Sequence, residues 1–138
     1  MSALLLDTHA WLWYAEGVAG RLKPGGVSRI EDALLTSRLH VSAVSAWEIG
    51  LLVAKNRITL SVPVKDWIQH ATTLPGLRLR PLDWQAALES TLLPGVPHAD
   101  PADRLLIAEA RIGGYTLVTR DQKILDYGKT GHVNVLAA

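Results

Sequence analysis

The spacing of apolar and polar residues changes repeatedly along this chain, and those changes predict its elements. Ala3-Leu4-Leu5-Leu6-Asp7 is an apolar run ended by an acid, so residues 3–7 read as a short buried strand. Helical material rich in tryptophan follows, from about His9 to Glu16. Pro24-Gly25-Gly26 reads as a breaker. Beyond it a second helix is expected over roughly Ser28 to Leu39, with Ser28, Glu31 and Asp32 as cap and first-turn acids. His40-Val41-Ser42 is compatible with a very short strand. From Ala43 to about Asn56, apolar residues recur at helical spacing: Val44, Trp47, Leu51 and Ala54. Pro63 opens a helix near 63–73 that Leu74-Pro75-Gly76 ends. Leu77 to Leu82 reads as a strand, and Asp83 as the N-cap of a helix through Thr91. Pro94 to Pro101 is a loop, and a helix over 101–112 stops at Gly113-Gly114. Tyr115–Thr119 is a strand, and Val133–Leu136 a last, edge-like one.

Strands separated by helices of this length imply crossovers. The expected fold is therefore α/β: a three-layer α/β/α sandwich with a central, mostly parallel sheet. No repeat, low-complexity tract or linker interrupts the pattern, so one domain over residues 1–138 is expected.

Composition narrows the chemistry. At 49% hydrophobic and 20% charged residues, the chain has the balance of a compact protein, not a disordered one. With no cysteine, disulfides, thiolate metal sites and cysteine nucleophiles are excluded, and a reducing compartment fits. The start has no basic n-region and its apolar run is cut short by Asp7, unlike a signal peptide. No apolar run is long enough to span a membrane. A cytoplasmic location is expected. The formal net charge of +1 argues against binding a polynucleotide by bulk charge alone. Four carboxylates gathered in one cleft would, however, leave an excess of Lys and Arg elsewhere.

Those four are Asp7, Glu48, Asp103 and Asp121, each set in or beside an apolar run. An acid carried into apolar surroundings is costly unless it is paired or coordinates a metal. In an open parallel sheet ligands bind outside the carboxyl ends of the strands, where Asp7 and Asp121 fall. Each also reads as a loop acid or helix cap, Asp121 as the cap of Gln122-Lys123-Ile124-Leu125. With Asp100 as cap and Pro101 at the first helical position, Asp103 sits in the first turn. It shares a face with Leu106, Ile107 and Ala110. Glu48 lies on an apolar helical stripe with Val44, Leu51 and Leu52; it reads as an end-of-face residue, a partner for Lys55, or part of a shared cation site. A cation site of these four would be all oxygen and would suit Mg²⁺ or Mn²⁺. It supports metal-activated water attacking a phosphodiester.

The series Leu5-Leu6-Asp7-Thr8-His9-Ala10, Ser42-Ala43-Val44-Ser45-Ala46-Trp47-Glu48-Ile49, His98-Ala99-Asp100-Pro101-Ala102-Asp103-Arg104-Leu105-Leu106-Ile107-Ala108 and Leu117-Val118-Thr119-Arg120-Asp121 covers nearly the whole chain. In order and spacing it resembles PIN-domain ribonucleases, in particular VapC-like toxins of toxin–antitoxin pairs. The resemblance makes Asp7, Glu48 and Asp103 the three main acidic positions and Asp121 the more variable fourth. Thr8 and Thr119 match hydroxyl positions near the metal, and Lys55 a basic position of the same branch. Asn56-Arg57-Ile58 follows where that branch often has glycine, and Ala102 replaces a bulky aromatic, which would open the mouth of the site. The resemblance implies a metal-dependent endoribonuclease, homodimerisation, and inhibition by a small antitoxin from an adjacent gene. The alternatives within it are a PIN-like nuclease of RNA processing without an antitoxin, and an inactive scaffold that binds RNA or protein.

Other residues carry weaker signals. His98 reads as a loop histidine with a structural hydrogen bond, or as a phosphate contact. His9 reads as support for the acids or as the start of a helix. Arg104 reads equally as a partner for Asp100 or a guide for RNA. The tryptophans, in a chain without phenylalanine, are expected to be mostly core or interface mass, with at most one in contact with RNA.

Overall fold

The computed structural model describes residues 2–95 and 97–138; Val96, within the loop expected from Pro94 to Pro101, lies outside them. The described residues form five strands and seven helices. They are β1 (Leu4–Leu6), α1 (Thr8–Glu16), α2 (Pro24–Leu35), β2 (Leu39–Ser42), α3 (Ala43–Ala54), α4 (Val64–Thr72), β3 (Leu77–Arg80), α5 (Trp84–Glu89), α6 (Pro101–Gly113), β4 (Thr116–Thr119), α7 (Gln122–Gly128) and β5 (Val135–Ala137). All pairings are parallel, and the strand order is β3-β2-β1-β4-β5.

Alternation along the strands divides the core. Leu4 and Leu6 of β1, with Val118 of β4, face a cluster that includes Trp11, Ile30 and Trp67 from α1, α2 and α4. Leu5 and Leu117 face the opposite way, onto Leu106, Ile107, Ile124 and Tyr127 from α6 and α7. This is the expected three-layer sandwich, with both faces of its parallel sheet covered by helices. No helix among the described residues is long and apolar enough to cross a membrane.

The second helix departs from expectation. It begins at Pro24, ends at Leu35, and leaves Leu39 to β2. Pro24 starts the helix because its missing N–H is harmless there, and no side chain caps this end, so Ser28 is not the cap. Gly26 lies inside this helix for a tertiary reason of packing, since a Cβ on it would lie 2.8 Å from Ala138 and only glycine fits. Gly76, by contrast, terminates as expected, with φ +90 and the carbonyl of Leu34 in the space a side chain would need.

From β1 the chain winds outward to β2 and β3, then crosses to β4 on the other side of β1 and ends at β5. The direction reverses between β1 and β4. Crevices at such reversals, outside the carboxyl ends of the strands, are where open α/β sheets bind ligands.

Candidate active site

Asp7 follows β1 directly and is buried at that reversal. Its Oδ1 accepts from the backbone N–H of Ala10 at 2.8 Å, capping α1. Its Oδ2 accepts from Thr119 Oγ1 at 2.5 Å. Register brings the two together: Leu6 pairs with Val118, so the next residues of β1 and β4 stand side by side. Thr119 Oγ1 in turn accepts from the backbone N–H of Asp121 at 2.9 Å. Asp121 caps α7 through Oδ1, which accepts from Lys123 and Ile124. Its Oδ2 lies 3.4 Å from His98 Nε2.

The start of α6 supplies the facing wall. Asp100 Oδ1 accepts from Asp103 N–H at 3.0 Å, the expected cap, and Pro101 holds the first helical position. His98 Nδ1 accepts from the N–H of Asp100 at 2.9 Å, so in the neutral ring the proton sits on Nε2. That nitrogen points between Asp103 Oδ2 at 3.2 Å and Asp121 Oδ2. Glu48 enters from α3. Its Oε1 accepts from Thr8 Oγ1 at 2.5 Å, and Thr8 shares a second hydrogen bond with Ser45 Oγ at 2.9 Å.

The four acids repel one another electrostatically. Burial, then the charges of Asp100, Glu48, Asp121 and Asp7, push the Asp103 carboxyl from 3.8 up to about 8. Burial also raises Asp7, against the hydrogen bonds from Thr119 and Ala10 that favour its charged form. Near neutrality the metal-free cluster therefore retains a proton that a divalent cation would displace. One ligand atom each from His98, Asp103 and Asp121 fall within 4.8 Å of one another. The carboxylates of this set fit a divalent cation, while His98, with its proton on Nε2, serves as a hydrogen-bond donor between Asp103 and Asp121.

Of the residues singled out from sequence, Asp7, Thr8, Glu48, Asp103, Thr119 and Asp121 converge here. Lys55 is exposed and forms no ion pair with Glu48. Arg104 does not pair with Asp100: its Nε donates to the carbonyl of Ser90 at 2.9 Å, tying α6 to the end of α5. His9 is exposed, and its charge lowers the pKa of Asp7. His98 belongs with the acids, a place its sequence position only hints at: two residues before a cap, its ring can receive the cap's own N–H. Ser45 was not singled out, although it lies three residues before Glu48 on the same helical face.

A model of the PIN domain matches residues 4–130. The chain is 35% identical to Ribonuclease VapC22 of Mycobacterium tuberculosis over 125 residues, covering 90% of this chain and 91% of that one. Its fold is similar to DNA-bound VapBC from Salmonella typhimurium, with TM-score 0.66, 20% identity, and 99% and 98% of the two chains covered. It is also similar to a toxin–antitoxin complex from Klebsiella pneumoniae, with TM-score 0.59, 17% identity, and 97% and 96% covered. Strand-end acids at the sheet reversal, a matching fold and sequence similarity over nearly its full length agree: the chain belongs to the PIN-domain family.

Proposed function

We propose that this protein is a metal-dependent endoribonuclease acting as the toxin of a toxin–antitoxin pair, with Mg²⁺ or Mn²⁺ as cofactor. The observation that carries the reading is the convergence of Asp7, Glu48, Asp103 and Asp121 beside the sheet reversal, with Asp103 unable to ionise fully near neutrality unless a cation joins it. The likeness to Ribonuclease VapC22 supports RNA as substrate, and the shared fold of a chain from a toxin–antitoxin complex is consistent with an antitoxin partner. A bound divalent ion supplies neutralisation of the phosphodiester oxygens and acidifies a water nucleophile.

The chain's own groups hold and orient. Asp7, Glu48, Asp103 and Asp121 are the candidate ligands. Thr119 fixes Asp7 and, through its hydroxyl, the turn bearing Asp121. Thr8 fixes Glu48. Lys55 stands where it can meet the RNA backbone, whereas Arg104 secures the helix that carries Asp103.

Cleavage of a pooled RNA by the purified protein tests the reading. Activity is expected to vanish in EDTA and return with Mg²⁺ or Mn²⁺. Asp7→Asn should abolish cleavage and weaken Mn²⁺ binding with an unchanged circular dichroism spectrum, since it removes a ligand charge but keeps an oxygen to cap α1. Full activity in a clean Asp7→Asn preparation would refute the assignment.

A further inference from the structure

We propose that the groove beside Glu48 on α3 is a base-stacking subsite for single-stranded RNA, with Trp47 as platform and Lys55 and Arg57 as phosphate contacts. The inference rests on the ribonuclease reading above and names how that site holds its substrate.

Trp47 is 56% exposed, whereas Trp11 and Trp67 pack against each other in the core with ring centroids 5.3 Å apart. An indole left open beside candidate catalytic acids has a function to explain, because burial does not account for it. Every nucleobase offers a π-face, so an aromatic platform is the sequence-tolerant way to hold a single strand. Trp47, Leu51 and Lys55 recur every four residues and form one stripe down α3. From Glu48 to Lys55 the helix rises about 10 Å. The stripe therefore runs from the acidic end of the groove to a basic one.

The basic end is built by a backbone feature. Asn56 adopts φ +57, and the N–H groups of Asn56 and Arg57 return to the carbonyls of Val53 and Leu52 at 3.0 and 2.8 Å. This left-handed closure of α3 turns the chain back, and Arg57 joins Lys55 in lining the groove. Among the described residues neither side chain has an ion pair or hydrogen bond, so both charges are free for a phosphate.

The opposite wall is formed by Asp100, Pro101 and Ala102 at the start of α6. The resulting volume is about 250 Å³. That is below the range of roughly 300–1,000 Å³ typical for drug-sized ligands, and suits one base. A partner helix, which needs anchors over several turns, would be poorly served by it.

Fluorescence anisotropy of a labelled, short single-stranded RNA, in low salt with EDTA so that nothing is cut, tests the subsite. Wild-type protein should bind it, and Trp47→Ala should weaken binding by tenfold or more, as loss of a stacking platform does. Trp47→Phe should recover most of the affinity, and Lys55→Ala with Arg57→Ala should lower both affinity and its salt dependence. Scanning abasic positions should reveal one at which Trp47→Ala has no further effect, the signature of a direct pair. No binding by the wild type, or equal binding by Trp47→Ala, overturns the proposal. The readout does not depend on turnover: protein that cuts RNA but ignores Trp47→Ala keeps the nuclease reading and loses the groove. Protein that binds through Trp47 but cuts nothing does the reverse.

Discussion

Asp7, Asp100 and Asp121 each use one carboxylate oxygen to cap a helix, and for Asp7 and Asp121 the other oxygen faces the site. Capping and site chemistry, rival readings of such acids from sequence, here share one side chain. Asp103 differs, because it gains no cap bond and bears the repulsion of its neighbours. Its carboxyl is raised from 3.8 to about 8, so the folded protein binds a proton more tightly than the unfolded chain. Its contribution to stability is complete below pH 3.8 and is lost as the pH rises towards about 8. In metal-free buffer, wild-type melting temperature should fall across this interval more steeply than that of Asp103→Asn, and added Mn²⁺ should flatten the wild-type curve. Thermal melts at stepped pH would show it; parallel curves for the two proteins would mean that Asp103 carries no such strain. The four acids were legible in the sequence because each interrupts an apolar run. His98 was legible only as a loop histidine with a structural hydrogen bond, which it makes to Asp100, and Ser45 not at all, since only the folded chain sets them against Asp103, Asp121 and Thr8.

Elements are held around that cluster by a buried polar network. Glu109, on α6 below Asp103, is fully buried and accepts from Ser42 Oγ and, at 2.5 Å, from Arg80 Nη1. Ser42 also caps α3, the helix of Glu48, by accepting from Val44 N–H at 3.0 Å. Arg80, at the end of β3, reaches on to Asp83, the cap of α5. One carboxylate thus links α6 to the ends of β2 and β3. Removing one partner of a buried ion pair leaves the other uncompensated, at about 3–5 kcal/mol. Glu109→Ala is expected to lose stability of that order in urea unfolding, and Glu109→Gln less, because its amide oxygen still accepts from Ser42. A loss below about 1 kcal/mol would show that the network adds little. Most elements could be read from local signals of this kind, as at Asp83, Asp100, Gly114 and the Pro63 start. The start of the second helix could not, because Pro24-Gly25-Gly26 has the composition of a break, and the close approach of Ala138 that leaves no room for a Cβ at Gly26 appears in no local pattern.

At the scale of the molecule, apolar surface on α5 and between α1 and α4 is set apart from the Trp47 groove. On α5, Trp84 (71% exposed) and Leu88 stand one turn apart, and Leu92 continues the line beyond the helix end. Between α1 and α4 a groove of about 550 Å³ is lined by Trp11, Tyr14, Trp67, Ala71 and Leu74. Leu6 borders it just before Asp7, and Glu16 and Asp66 add negative charge. The apolar lining suits an amphipathic antitoxin segment and the acids suit basic residues on it, while the α5 stripe suits a second copy of the chain. Because the two surfaces use separate elements, both partners can be held at once. Light scattering should give twice the 15.0 kDa chain mass for the purified protein, and a heavier complex still containing two copies when it is co-expressed with the adjacent reading frame. Trp84→Glu should reduce the isolated protein to a single chain while leaving the antitoxin bound. A wild-type monomer would exclude the dimer, and a Trp84→Glu dimer would move the interface off α5. A chain indifferent to its neighbour's product would leave a nuclease without the toxin–antitoxin role.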